Sequence, residues 1–289
     1  MTILHSYINY KNEVPYHFKE DNAIFLNFYS YLLSYILLHE KYGNITAVCN
    51  QSAYDKLIKY IPYEDVILID TPQILEYSKF WSKVKIDTYN QIKGPFIHVD
   101  GDVFIFKDLL NNFIIDDTDV IYQNIEYVDQ FVLYKKYNKI LKEFIVENNI
   151  LSQNFLHSNA VNCGVVGFKH DKHKEMYLER VNRFYELISV KTDLINKLDS
   201  QFTVYLEQFI LGDLITEQNL KRSEIFTTKD LKSNSIIRLG DIKGYSHFWG
   251  DSKYKPTNTK LFIHKIKNDF PDYYKFVVKF EKENNFSIE

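Results

Sequence analysis

Asp100 and Asp102 stand one residue apart in Phe96-Ile97-His98-Val99-Asp100-Gly101-Asp102-Val103-Phe104-Ile105-Phe106, between two apolar runs. The run before them is short, apolar and bounded by Gly94-Pro95, which predicts a buried strand. The two carboxylates then fall where the backbone leaves the sheet. They repel each other and are costly to desolvate, so such a pair persists when a cation compensates it. Oxygen ligands of this kind suit Mg²⁺ or Mn²⁺. A metal held by two carboxylates keeps positions open for phosphate oxygens, and the stretch is therefore a candidate site for a nucleoside diphosphate. In the metal-free protein the same repulsion predicts a slight gain in stability when one carboxylate is removed. A solvated loop with two Asp is the plainer reading of any Asp-x-Asp, and the apolar strand in front argues against it here.

Three later stretches add polar groups of the right types. Asn162 precedes Cys163-Gly164 and the apolar run Val165–Phe168, and an amide can hydrogen-bond sugar hydroxyls as donor and acceptor. Taken alone, a simple turn before a strand is the favoured reading. Glu207-Gln208 lies inside Tyr205–Leu211, an apolar run, and a buried Glu needs a partner. The competing reading is a helix that turns both residues to solvent. His247, Gly250 and Lys253 follow at i, i+3 and i+6. His offers a neutral nitrogen to a metal, Gly allows close backbone approach, and Lys offers a mobile charge to phosphate oxygens.

These residues need a scaffold, and the hydrophobic pattern supplies one. Strands are predicted at residues 3–8, 45–49, 66–69, 96–99, 120–121 and 165–168. Helices are predicted at 23–39, 52–60, 75–91, 137–148 and 172–190. The first of these is apolar nearly all round, although it holds Asn27, Ser30 and Ser34, and is expected to lie deep in the fold. Strands alternating with helices argue for βαβ units and a mostly parallel sheet flanked by helices. In such α/β sheets ligands bind beyond the carboxyl ends of strands, where Asp100 and Asp102 are expected.

The chain has 289 residues, 45% of them apolar, and no Pro/Gly/Ser linker, which predicts a single domain. A net charge of −3 gives no general affinity for nucleic acid. Cys49 and Cys163 are far apart and lack metal-ligand spacing, which fits a reducing, cytoplasmic setting. The bias toward Asn, Lys and Ile fits an AT-rich genome, and a bacterial protein is expected. No leader pattern and no transmembrane segment is expected. The tail, residues 269–284, reads as a surface helix packed by its aromatics. A peripheral membrane contact through Lys275, Lys279 and Lys282 is its second reading.

Taken together, the four motifs resemble the GT-A nucleotide-sugar glycosyltransferases, and most closely the retaining family 8. That family has Asp-x-Asp after its fourth strand, an Asn-x-Gly element, an acidic-Gln pair and a final His-x-x-Gly-x-x-Lys. Asp100-Gly101-Asp102, Asn162-Cys163-Gly164, Glu207-Gln208 and His247, Gly250, Lys253 match them in that order over about residues 1–255. Two departures stand out. Glu207 replaces the usual Asp, and Tyr254-Lys255-Pro256 replaces the usual Pro-Trp.

The resemblance implies a single GT-A-like domain over 1–289, with the nucleotide-sugar part at about 1–110 and the acceptor part at about 111–289. It implies that Asp100, Asp102 and His247 bind Mn²⁺ or Mg²⁺. Lys253 and Gly250 would hold the phosphates, with Lys83 as a further donor contact and Ser6 and Tyr7 beside the base. Glu207, Gln208 and Asn162 would serve catalysis at the sugar. The implied activity is transfer from a nucleotide-sugar donor, UDP in the first instance, to a glycan, lipid or protein acceptor with retention. Two other readings stand beside it. One is a non-catalytic nucleotide- or carbohydrate-binding domain on the same fold. The other is a Mg²⁺-dependent haloacid dehalogenase-type phosphatase, although that family carries its Asp-x-Asp on the first strand, followed by Gly-Thr.

Overall fold

A computed structural model describes residues 1–9, 22–71, 74, 77–233, 242–248 and 250–286. Its strands are β1 (Thr2–Tyr7), β2 (Ile45–Asn50), β3 (Asp65–Ile69), β4 (Phe96–Val99), β5 (Val103–Ile105) and β6 (Val120–Tyr122). They continue with β7 (Ile125–Glu126), β8 (Ala160–Val161), β9 (Val165–Phe168), β10 (Arg222–Glu224) and β11 (Tyr245–His247). Seven form the central, mostly parallel sheet, in the order β10-β6-β9-β4-β1-β2-β3. The expected α/β class, with a mostly parallel sheet flanked by helices, is what the chain adopts.

The chain divides into two compact units. One, here the β1–β3 unit, comprises Thr2–Thr71, His98–Leu109 and Asn234–Glu289. In it β1 pairs with β2 and β2 with β3, both parallel, with Ile3 opposite Ile45 and Thr46 opposite Asp65. The helix Asn22–Tyr42 buries Phe28, Tyr29, Leu32, Leu33 and Ile36, as its all-round apolarity requires. It stops at Gly43, whose N–H donates to the His39 carbonyl at 2.9 Å. The tail is the helix Pro271–Asn284, and Phe280 stacks on Phe28 with ring centroids 3.8 Å apart. Lys275, Lys279 and Lys282 lie on its exposed side.

Two elements of this unit differ from the sequence expectation. The helix expected from Ser52 is Gln51–Lys56 with a separate 3₁₀ turn, Ile58–Tyr60. The Asn50 side chain caps it by accepting from the Ala53 N–H at 3.0 Å, which sets the earlier start. A further helix, Pro256–Asp269, was not anticipated; its Phe262 packs against Phe104 and Phe248.

The second unit, here the β6–β10 unit, comprises Pro72–Ile97 and Leu110–Ser233, with Met1. Here β6 pairs antiparallel with β9 and parallel with β10, and β7 pairs antiparallel with β8. Its helices include Tyr77–Thr88, Val132–Asn148 and Asp171–Ser189. Leu75 and Glu76, expected to open the first of these, lie outside the described residues. The second starts five residues before the expected Tyr137, because Tyr134 as well as Tyr137 is buried on one helical face. The segment Tyr205–Phe209 is a π-helical turn between Phe202–Val204 and Ile210–Glu217. Among the described residues no helix is long and apolar enough to cross a membrane, and both cysteines are free and buried.

Candidate metal and diphosphate site

The β1–β3 unit brings together four residues the sequence had singled out. Antiparallel pairing of β11 with β5 sets His247 opposite Val103, and the Phe248 N–H donates to the Asp102 carbonyl at 2.9 Å. That register places the His247 Nε2 3.5 Å from Asp102 Oδ1. One ligand atom each from Asp100, Asp102 and His247 lies within 4.8 Å of the others. The 3₁₀ turn Gly250–Tyr254 then carries Lys253 to Asp102, with Nζ 2.8 Å from Oδ2. Gly250 adopts φ +60°, a conformation that favours glycine, so local backbone geometry already accounts for the residue type.

Asp102 is buried, and burial alone would raise its pKa. Lys253 and His247 outweigh that and hold its carboxyl well below the usual carboxylate range. Burial likewise works against the Lys253 ammonium, and Asp102 outweighs it, so Lys253 stays charged above the ordinary lysine value. Asp100 is more open, with 29% side-chain exposure, and its Oδ1 lies 3.7 Å from His98 Nδ1. Two carboxylate oxygens and one imidazole nitrogen form a donor set suited to Mn²⁺ or Mg²⁺, with the exposed Asp100 side left for further ligands. The residues present therefore fit the ion that the resemblance implies.

The turn carrying both carboxylates is held from behind by the helix Asn22–Tyr42. Ser30 Oγ donates to the Gly101 carbonyl at 2.6 Å, and Ser34 Oγ donates to the Val103 carbonyl at 2.7 Å. The Tyr31 ring lies against Gly101 so closely that an added Cβ would sit 2.2 Å from it. The polar residues at 30 and 34 were visible as exceptions in an apolar helix, but their target was not. Gly101→Ala is expected to cost about 1–3 kcal/mol through overpacking. Because the same turn carries Asp100 and Asp102, Mn²⁺ affinity should fall with it. Calorimetric unfolding and a Mn²⁺ titration read the two effects; an alanine variant matching wild type in both would show that the turn is not clamped.

Ser6 and Tyr7 end β1 in the same unit. Ser6 Oγ lies 2.8 Å from His98 Nε2, and its carbonyl accepts from Tyr31 Oη at 2.8 Å. Tyr7 packs edge-on against Tyr31, and its hydroxyl accepts from Asn27 Nδ2 at 3.2 Å. Behind them His5 is buried between Ser34 Oγ at 3.1 Å and Tyr63 Oη at 2.7 Å. Ser34 gives its proton to Val103, so His5 Nε2 donates to Ser34 and Nδ1 accepts from Tyr63.

His5 is thus neutral, and burial lowers its pKa to about 3. A depressed histidine contributes stability that is full above its unfolded value and is lost as pH falls toward the folded one. Between pH 6.5 and 3 the loss should reach roughly 4–5 kcal/mol at about 1.4 kcal/mol per unit. Unfolding followed against pH checks this; His5→Gln should flatten that limb, and an unchanged slope would contradict it.

The β6–β10 unit holds the other sequence candidates. Glu207 and Gln208 sit in the π-helical turn, a feature common at functional positions. Glu207 is buried and pairs with buried Lys85, whose Nζ is 2.8 Å from Oε1 and also donates to the Cys163 carbonyl at 3.0 Å. Tyr134 donates to Glu126 Oε2 and lies 2.8 Å from Gln208 Oε1. A phenol has one proton, so with it on Glu126 the Gln208 contact is made through the amide N–H of the flipped orientation. Asn162 Nδ2 donates to Glu126 Oε1 at 2.9 Å, and its Oδ1 accepts from the Gly164 N–H. Lys83 pairs with Asp87 one turn along its own helix, at 2.7 Å, and lies over the Tyr185 ring.

Lys85, Glu126 and Tyr134 were not singled out in the sequence. Lys85 offered one signal, a lysine between the apolar Val84 and Ile86. Glu126 and Tyr134 offered none: Glu126 meets Asn162 through the pairing of β7 with β8, and Tyr134 reaches Glu126 from the helix Val132–Asn148.

Over residues 1–280 the chain matches the family described as "Family of unknown function (DUF6734)", and it belongs to that family. No curated protein matches it in sequence. Among solved structures it is similar to the galactosyltransferase LgtC in complex with donor and acceptor sugar analogs, at 11% identity and TM-score 0.44, over 91% of this chain and 94% of that one. It is similar to the glycosyltransferase GlyE of Streptococcus pneumoniae TIGR4 at 11% identity and TM-score 0.47, over 98% of this chain and 63% of that one. It is also similar to the inositol-1-phosphate CTP transferase from T. maritima at 8% identity and TM-score 0.42, over 92% and 96% of the two chains. These scores are below 0.5, so the chemistry has to be read from this chain's own residues.

Proposed function

We propose that this protein is a metal-dependent glycosyltransferase of the retaining family 8 type, using a nucleotide-sugar donor, UDP-linked in the first instance. One observation carries the reading. Two carboxylates, an imidazole and an ammonium, drawn from residues 100–102 and 247–253, converge within one unit. Asp100, Asp102 and His247 would hold Mn²⁺ or Mg²⁺. Once bound, the ion would supply Lewis-acid stabilisation of the departing diphosphate. Lys253, with the backbone at Gly250, would bind the phosphates, and Ser6 and Tyr7 the base. Lys83 is kept as a further donor contact.

Glu207, Gln208 and Asn162 keep the sugar-directed roles that the resemblance gives them. In the transfer the bond from the anomeric carbon to the diphosphate oxygen breaks. The acceptor oxygen bonds that carbon on the same face, and the acceptor proton passes to the leaving phosphate. The acceptor would be a glycan, lipid or protein, in a bacterial cytoplasm.

The test is a thermal-shift panel of nucleoside diphosphates with and without Mn²⁺. A ligand at 100 times its Kd adds about 2.7 kcal/mol to the native state. A diphosphate should raise the melting temperature in Mn²⁺, the nucleoside should do so much less, and EDTA should cancel the gain. No response to any diphosphate would overturn the reading. With an α-linked donor, the anomeric proton of the product should report an α-linkage; a β-linked product would move the protein to an inverting type.

A further inference from the structure

We propose that Lys253 is an internal counter-ion that competes with the metal for Asp102, so that the metal and the donor diphosphate must load together. This rests on the reading of Asp100, Asp102 and His247 as metal ligands. The geometry that carries it is the division of one carboxylate between two partners. Asp102 Oδ1 faces His247 at 3.5 Å, whereas Oδ2 is in contact with Lys253 Nζ at 2.8 Å. Both side chains are largely buried, so water screens the pair little.

A divalent ion entering beside Oδ1 would meet a fixed positive charge across the same carboxylate. Its affinity for the protein alone is lowered by that repulsion, and by the loss of carboxylate charge already spent on the ammonium. A diphosphate changes both terms. Its oxygens give Lys253 a second anionic partner, and they supply ligands to the metal. Lys253 sits in a short 3₁₀ turn, and among the described residues nothing lies within 4 Å of a Cβ added at its Gly250. The exchange asks only that the Lys253 ammonium leave Asp102 Oδ2, a contact separate from the backbone pairing of β11 with β5. By linkage, whatever factor the diphosphate adds to metal affinity the metal adds to diphosphate affinity.

The consequence has crossed signs at a single residue. Removing the charge should tighten the metal alone and weaken the diphosphate. A residue serving only as a phosphate contact would leave the metal alone unchanged. The experiment is Mn²⁺ titration followed by electron paramagnetic resonance, without nucleotide, on wild type, Lys253→Met and Lys253→Arg.

The methionine variant should bind Mn²⁺ about tenfold or more tightly than wild type, since a like charge a few ångströms away is removed. The arginine variant, which keeps the charge, should resemble wild type. Binding by Lys253→Met that is equal to or weaker than wild type would overturn this inference while leaving the metal site standing. Absence of Mn²⁺ binding by wild type and methionine variant alike, with UDP or without, would overturn the metal reading itself.

Should Lys253→Met not fold, wild type carries the test through acylation of lysines read by mass spectrometry. Lys253 should be protected in the free protein, exposed by Mn²⁺ alone, and protected again by Mn²⁺ with UDP. The same reactivity with and without Mn²⁺, at saturation, would overturn the proposal.

Discussion

Asp102→Asn is expected to abolish Mn²⁺-dependent binding of nucleoside diphosphates, with a loss of roughly 100-fold or more, because it would remove one of the proposed direct ligands where even supporting residues are worth 10–100-fold. The same change should destabilise the metal-free protein. Repulsion between Asp100 and Asp102 suggested the opposite sign, and the structure reverses it. Lys253 and His247 both face the Asp102 carboxylate, and Lys253 is close enough to make a direct ion pair. An amide at this position leaves a largely buried ammonium without its partner, at a cost of roughly 2–4 kcal/mol. Asp100→Asn separates the two effects, because Asp100 is more open and it is Asp102 that holds the 2.8 Å contact with Lys253, Asp100 adding a smaller coulombic pull. It should lose metal affinity and cost much less stability than Asp102→Asn. Mn²⁺ titration with calorimetric unfolding of both variants gives the comparison. An Asp102→Asn protein that unfolds at the wild-type temperature would show that the pair is worth nothing.

That reversal marks the limit of what the chain alone discloses. The residue types and spacings of Asp100, Asp102, His247 and Lys253 were legible, since each is chemically costly to place near an apolar strand without a reason. Their contacts were not. Whether Lys253 meets a phosphate or a carboxylate depends on β11, three residues long, finding β5 in one register. A strand of that length has no periodicity to read. The regular βαβ elements were legible because they repeat a period over many residues. The π-helical turn was not, because the run Tyr205–Leu211 is apolar on nearly every side and shows no phase that an extra residue would shift. The start of the helix Val132–Asn148 was missed for a related reason. Its first turn, Val132-Leu133-Tyr134-Lys135, has highly exposed Val132 and buried Tyr134, and exposure cannot be told from apolarity alone.

Glu207 is where this matters most for experiment. As a group acting at the sugar, its removal should lower turnover far more than donor affinity, because its charge counts most in the transition state. The ion pair with Lys85 predicts a second and larger effect from the same substitution. Both side chains are buried, and Lys85 is tied to the Cys163 carbonyl as well, so it cannot follow its charge into water. Glu207→Ala strands that ammonium and opens a void, and should cost roughly 3–5 kcal/mol. Against a total of about 5–15 kcal/mol this would unfold part of the population and mimic a catalytic loss.

Glu207→Gln keeps the volume and one acceptor for Lys85, so it should retain most of the stability while losing the charge. Lys85→Met with Glu207→Gln removes the stranded ammonium altogether and should be more stable than Glu207→Ala. The three variants divide the two roles. If turnover falls in Glu207→Gln at unchanged unfolding temperature and donor affinity, the carboxylate acts on the reaction. If activity in all three simply follows the folded fraction, Glu207 is a structural partner of Lys85, and the acidic-Gln resemblance carries no catalytic meaning in this chain.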